Sequence, residues 1–261
     1  MTAPFPEQSE SALTFPAATV IVFRKSPKGG EAEVLMVVRS KDMRFAAGAV
    51  VFPGGRVDEA DRELAAALFP DAADGEELAA RIAGVRETLE EAGLVIGIAE
   101  KVSAEDAARA RALLLERGAL APVLEHMGWT VLPERLEPFA RWNPKFERSF
   151  DTRFYLADLG TGAVTLEIDG TEHSHLLWIT PAEAIARADR GELRAIFPTR
   201  RNLERLARHA TFAEAVADAR AHPQPVITPW IDERDGERWL NIPEGLGYPV
   251  VTALLEPLQR H

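Results

Sequence analysis

Residues 77–92 (ELAARIAGVRETLEEA) limit the choice of fold more than any other stretch. Ile82, Val85, Leu89 and Ala92 recur at helical spacing, so the segment reads as a helix with one face to bury. Gly93 follows at once and supplies a helix stop. The other face carries Glu87, Glu90 and Glu91 at i, i+3 and i+4, which makes them neighbours. Three like charges repel, and here they lie near the helix C-terminus, where negative charge is disfavoured. A cation resolves that conflict, and carboxylate oxygens are the hard ligands that Mg²⁺ or Mn²⁺ prefers. A bare E-x-x-E-E also suits a solvated acidic face, so the surrounding residues have to decide.

The rest of the chain supplies a sheet for that helix. Residues 18–24 (ATVIVFR) and 33–39 (EVLMVVR) read as strands around the turn Ser26-Pro27-Lys28-Gly29-Gly30. Residues 48–52 (GAVVF) read as a third strand that stops at Pro53-Gly54-Gly55. Residues 58–77 read as a short helix and a loop broken by Pro70 and Gly75. Ser103, with Asp106 three residues on, opens a helix that stops at Gly118. Strands are expected at 150–156 and 175–179, a helix from Pro181, and one further helix over 199–219. Asp235-Gly236 marks a hairpin near the end. Strands mixed with helices indicate α/β or α+β.

Composition removes several functions. With no cysteine, thiolate metal sites, disulfides and cysteine nucleophiles are excluded, and a cytoplasmic location fits. No apolar run approaches the roughly 20 residues of a membrane span. The first residues lack the pattern of a signal peptide, and the last four are no peroxisomal address. A net charge of −11 argues against nucleic acid as partner. Residues 20–56 reverse the balance, with seven basic residues against three acidic ones, and could face a small polyanion or simply water.

Gly54-Gly55 followed by Arg86-Glu87-x-x-Glu90-Glu91-x-Gly93-Leu94 resembles the Nudix box. The resemblance implies a Nudix-type α/β/α sandwich with a mixed sheet, here with a helical insertion and a C-terminal hairpin extension. The resemblance covers residues 17 to about 195, and the chain accordingly reads as a flexible leader at 1–16, a Nudix domain at 17–220 with insertions at about 62–79 and 101–128, and an extension at 221–261 packed on the same domain. It implies a hydrolase that cuts a pyrophosphate bond in a small nucleotide substrate, with homodimer formation left open. Glu87, Glu90 and Glu91 would bind the divalent metal, and Arg86 would pair with a neighbouring carboxylate. The general base would be a glutamate of that helix, or Glu172, six residues before Trp178. Glu172 also fits an ordinary exposed turn. The box carboxylate falls on Asp61, and 24 residues (62–85) separate it from Arg86 where the box has seven. That insertion of 17 places the role of Asp61 in doubt. The box is interrupted in a similar way in the coenzyme A diphosphatase subgroup.

Arg39-Ser40-x3-Arg44-x3-Gly48-x3-Phe52-Pro53-Gly54-Gly55 is similar to the motif of coenzyme A-cleaving members. The resemblance implies that Arg39, Arg44, Gly54 and Gly55 bind substrate, the arginines by bidentate contact with phosphates. Coenzyme A or an acyl-coenzyme A is the favoured substrate. ADP-ribose or a nucleoside diphosphate sugar is the alternative, and a non-catalytic nucleotide sensor is the alternative of another class. Trp142, Phe150, Phe154 and Tyr155 could offer a stacking face, although alternation places Phe150 and Phe154 in a core.

Overall fold

The computed structural model describes residues 13–39, 48–145, 148–159 and 173–255. Strand β1 (Leu13–Arg24) is the axis of the molecule. One edge runs parallel to β6 (Arg148–Asp158) over its whole length, from Leu13↔Arg148 to Phe23↔Asp158. The other edge is shared between β4 (Gly54–Arg56) and β2 (Glu33–Arg39), both antiparallel. β2 also carries β3 (Val50–Val51) and β7 (His173–Ile179). Beyond β6 come β5 (Glu137–Trp142) and β8 (Val226–Ile227). The sheet is therefore mixed, with eight strands among the described residues.

Alternation along β1 assigns its side chains to two cores. Ala18, Val20 and Val22 meet Ile82, Val85 and Leu89 of helix α2 (Gly75–Ala92), with helices α1 (Glu59–Leu68), α3 (Ala104–Arg117) and α4 (Leu120–Met127) on the same side. Ile21 and Phe23 face the other way. They pack with Leu203 and Leu206 of α6 (Phe197–Leu206) and Ala215 and Ala219 of α7 (Phe212–Ala221). Helix α5 (Pro181–Asp189) adds Ala184 to this second core. Each buried Leu, Ile or Val contributes about 1.5–3 kcal/mol. The arrangement is an α/β/α sandwich. A smaller antiparallel sheet of β9 (Trp230–Arg234), β10 (Glu237–Asn241) and β11 (Thr252–Leu254) holds the hairpin at Asp235-Gly236. Its Leu240, with Ile242, Leu246 and Tyr248, enters the second core. No helix among the described residues is long and apolar enough to cross a membrane.

Several expectations need correction. β1 begins at Leu13, so residues 13–16, read as leader, are strand; their partner β6 lies far away in sequence. The glycines at 54 and 55 do not merely stop a strand, because they belong to β4 and pair with β1. The single helix expected over 199–219 is two helices: α6 caps at Ala207, and Thr211 with Glu214 forms a capping box that restarts the chain as α7.

Candidate active site

Helix α2 starts behind Asp74, whose side chain accepts from the Glu77 amide, and ends at Gly93 in the left-handed conformation. Its buried stripe presses onto β1, which leaves the Arg86–Glu91 turn facing β4 and the start of α1. Arg86 is almost fully buried and carries the densest set of polar contacts here. Its Nε and Nη2 donate to the two carboxylate oxygens of Asp61, each at 3.0 Å. Nη1 donates to Glu87 at 2.9 Å and to Glu90 at 3.4 Å, and Nη2 also reaches the Arg56 carbonyl at 2.9 Å. Burial opposes the charge, but Asp61, Glu87 and Asp58 outweigh it and hold the guanidinium above its usual pKa.

Asp61 is thus the anchor of the site despite the long insertion. It lies in the first turn of α1 and its Oδ2 also accepts from the Asp58 amide at 2.9 Å. Only the count from Gly55 pointed to it in the sequence.

The three glutamates differ from one another. Glu87 lies against Gly55 so closely that a Cβ on that residue would overlap its carboxylate. Burial pushes the Glu87 carboxyl up to about 8; Arg86 pulls against this, and Glu91 and Glu90 add to it. Glu90 is the more open side chain. Glu91 is buried, and its Oε2 accepts from the Gly54 amide at 2.9 Å. The three carboxylates, read as neighbours on one helix face, therefore have different surroundings, with Glu91 turned into the β4 turn. Among the described residues, no three acidic, histidine or cysteine groups converge on a common point as placed. Glu87 and Glu90 turn to Arg86 instead, and Glu91 turns to Gly54.

Gly54 and Gly55, read as substrate contacts, support the glutamates directly. Arg39 lies in β2, but its side chain, Arg44 and Glu172 fall outside the described residues. Trp142, Phe154 and Tyr155 are buried and offer no stacking face. Trp142 packs edge-on against Phe197 and Tyr248. Tyr155 donates to Glu77 at 3.0 Å.

The fold is that of the Nudix proteins. A crystal structure of a NUDIX hydrolase from Alicyclobacillus acidocaldarius superposes with a TM-score of 0.66 at 28% identity, covering 79% of this chain and 96% of that one. A Caenorhabditis elegans protein named "Putative nudix hydrolase 7" is 28% identical over 184 residues, 67% of this chain. The chain spans 55% of the length of that curated relative. No family model matches. The chain is thus similar to these Nudix proteins in sequence and shares their fold.

Proposed function

We propose that the chain is a metal-dependent hydrolase that cleaves the pyrophosphate bond of a nucleotide-containing metabolite. The observation that carries this reading is the buried Asp61–Arg86–Glu87 array set against Gly54-Gly55. Such an array concentrates carboxylates beyond what one arginine neutralises, and burial with the neighbouring Glu91 and Glu90 pushes the Glu87 carboxyl up to about 8 against the pull of Arg86. The donor set of Glu87, Glu90 and Glu91 suits Mg²⁺ or Mn²⁺ in its oxygen chemistry. Their side chains would have to leave Arg86 and Gly54 to converge. A bound divalent ion would neutralise pyrophosphate charge and lower the pKa of water. Arg86 would hold the Glu87 rotamer, and Asp61 would hold Arg86. A glutamate of α2, or Glu172, would take the proton from the attacking water.

Coenzyme A or an acyl-coenzyme A is the favoured substrate, giving 3′,5′-ADP and a phosphopantetheine. The run from Arg39 to Gly55 supports it, with Arg39 and Arg44 as phosphate contacts. The test is a panel of coenzyme A, dephospho-coenzyme A, ADP-ribose and nucleoside diphosphate sugars with Mg²⁺ or Mn²⁺, products identified by mass spectrometry. Coenzyme A should be cleaved fastest, and the dephospho form more slowly because it lacks the 3′-phosphate. Faster cleavage of ADP-ribose would move the substrate assignment. Binding without cleavage of any compound would make the chain a sensor.

A further inference from the structure

Arg56 follows Gly55 in β4, yet its side chain takes no part in the Arg86 array. Alternation turns it to the opposite face from Gly55, the face that carries Phe15. There its guanidinium stands 4.5 Å above the Phe15 ring. Phe15 is the direct register partner of Phe150, and the two rings are 6.2 Å apart in a tilted contact. Both rings are only half-buried, although β1 and β6 are core strands further along. Among the described residues the Arg56 guanidinium makes no hydrogen bond or ion pair, and it is exposed. In a chain with a net charge of −11 and many paired arginines, this one is oriented by an aromatic ring and keeps its donors for a ligand.

The Arg56 carbonyl holds Arg86, and the preceding residue touches Glu87, so the cation is tied to the reactive end of α2 through one strand. Among the described residues β4 is paired on one side only, with β1. A ligand lying across that edge can meet the α2 carboxylates on one face and Arg56 on the other. A planar guanidinium with a free edge matches two oxygens of a phosphate. Its outer face, backed by rings, suits a nucleobase beside that phosphate.

We propose that Arg56, propped on the Phe15–Phe150 ring pair, is a specificity-determining residue that takes a phosphate of the nucleotide substrate. The inference rests on the pyrophosphatase reading and deepens it. The experiment measures ADP binding by calorimetry in Mg²⁺ buffer, and KM and kcat on the best substrate of the panel. It compares wild type, R56A, R56K, F15L and the F15L/R56A double variant, with thermal melts as a folding check. R56A should weaken ADP binding and raise KM by roughly ten- to a hundredfold, more than it lowers kcat. R56K should recover part of the loss, because it restores charge without the fork. F15L should weaken binding less, and should add nothing in the R56A background if the ring acts through the arginine. Should F15L fail to fold, the R56A and R56K pair decides alone. R56A with wild-type affinity and KM overturns the inference and leaves the pyrophosphatase reading standing. A wild-type protein that neither binds ADP nor cleaves the panel overturns both.

Discussion

Arg86 is a buried cation whose placement depends on one short acid. Asp61 is 1% exposed and meets it with both oxygens. Removing one member of a buried pair costs about 3–5 kcal/mol, because the other charge stays behind. D61A should therefore lower the thermal midpoint by roughly 10 °C, and D61N by less, since it keeps the shape. A D61A midpoint within a degree of wild type would show that Arg86 is held by its other partners. Glu87 makes a second prediction at this scale. Its folded-state pKa of about 8 lies above the ordinary 4.5, so the folded protein retains a proton that the unfolded chain has lost. Stability of the metal-free protein should fall as pH rises from about 4.5 through 8, then level off. E87Q lacks this titration, so the wild-type midpoint should drop relative to E87Q across that window. A constant difference between the two melts would mean that Glu87 ionises as in water.

Helix α2 sits close on β1 because of Gly84. A Cβ there would come 2.8 Å from Val20 Cγ2 and 3.3 Å from Leu136 Cδ2. Gly to Ala in a helix interior gains about 1 kcal/mol of propensity. Overpacking a core costs about 1–3 kcal/mol, and here the neighbour belongs to the central strand. G84A should thus lower the midpoint by a few degrees and, through tilt of α2, reduce turnover; a raised midpoint would contradict the close contact. Much of α2 was legible in advance, because its stripe repeats locally and Gly93 ends it. The capping box that splits α6 from α7 was also legible, as Thr211-x-x-Glu214, but the apolar spacing ran across it. Other features were hidden by distance. Residues 13–16 become strand only beside β6. Asp61 and Arg86 are 25 residues apart, and the burial of Glu91 depends on the Gly54 amide, 37 residues away. No local pattern carries such pairings. β5 and α4 show no period in the sequence because, at six and eight residues, they are too short to repeat one.

At the scale of the whole molecule, the sheet separates two cores and presents the β4 edge between them. The second core reaches the last strands through Tyr248, which accepts from Trp142 Nε1 at 3.2 Å and donates to Asn202 at 2.8 Å. Arg205 and Asp218 form a buried pair at 2.7 Å in the same region. The first core carries α2 and its acids. On the proposed function, catalysis would lie on one side of β4, with the rest of the molecule holding that strand in place. The α2 carboxylates, charged with a divalent ion, are proposed to direct hydrolysis of a pyrophosphate bond. The most direct measurement follows product formation by mass spectrometry for wild type, E90Q and E91Q, first stripped with EDTA and then supplied with Mg²⁺ or Mn²⁺. Wild type should be inactive when stripped and recover with either ion. E90Q and E91Q should remain folded and turn over slowly, by roughly 10²–10⁴-fold where the lost group is also the base. Full turnover in EDTA, or both variants cleaving at the wild-type rate, would contradict it.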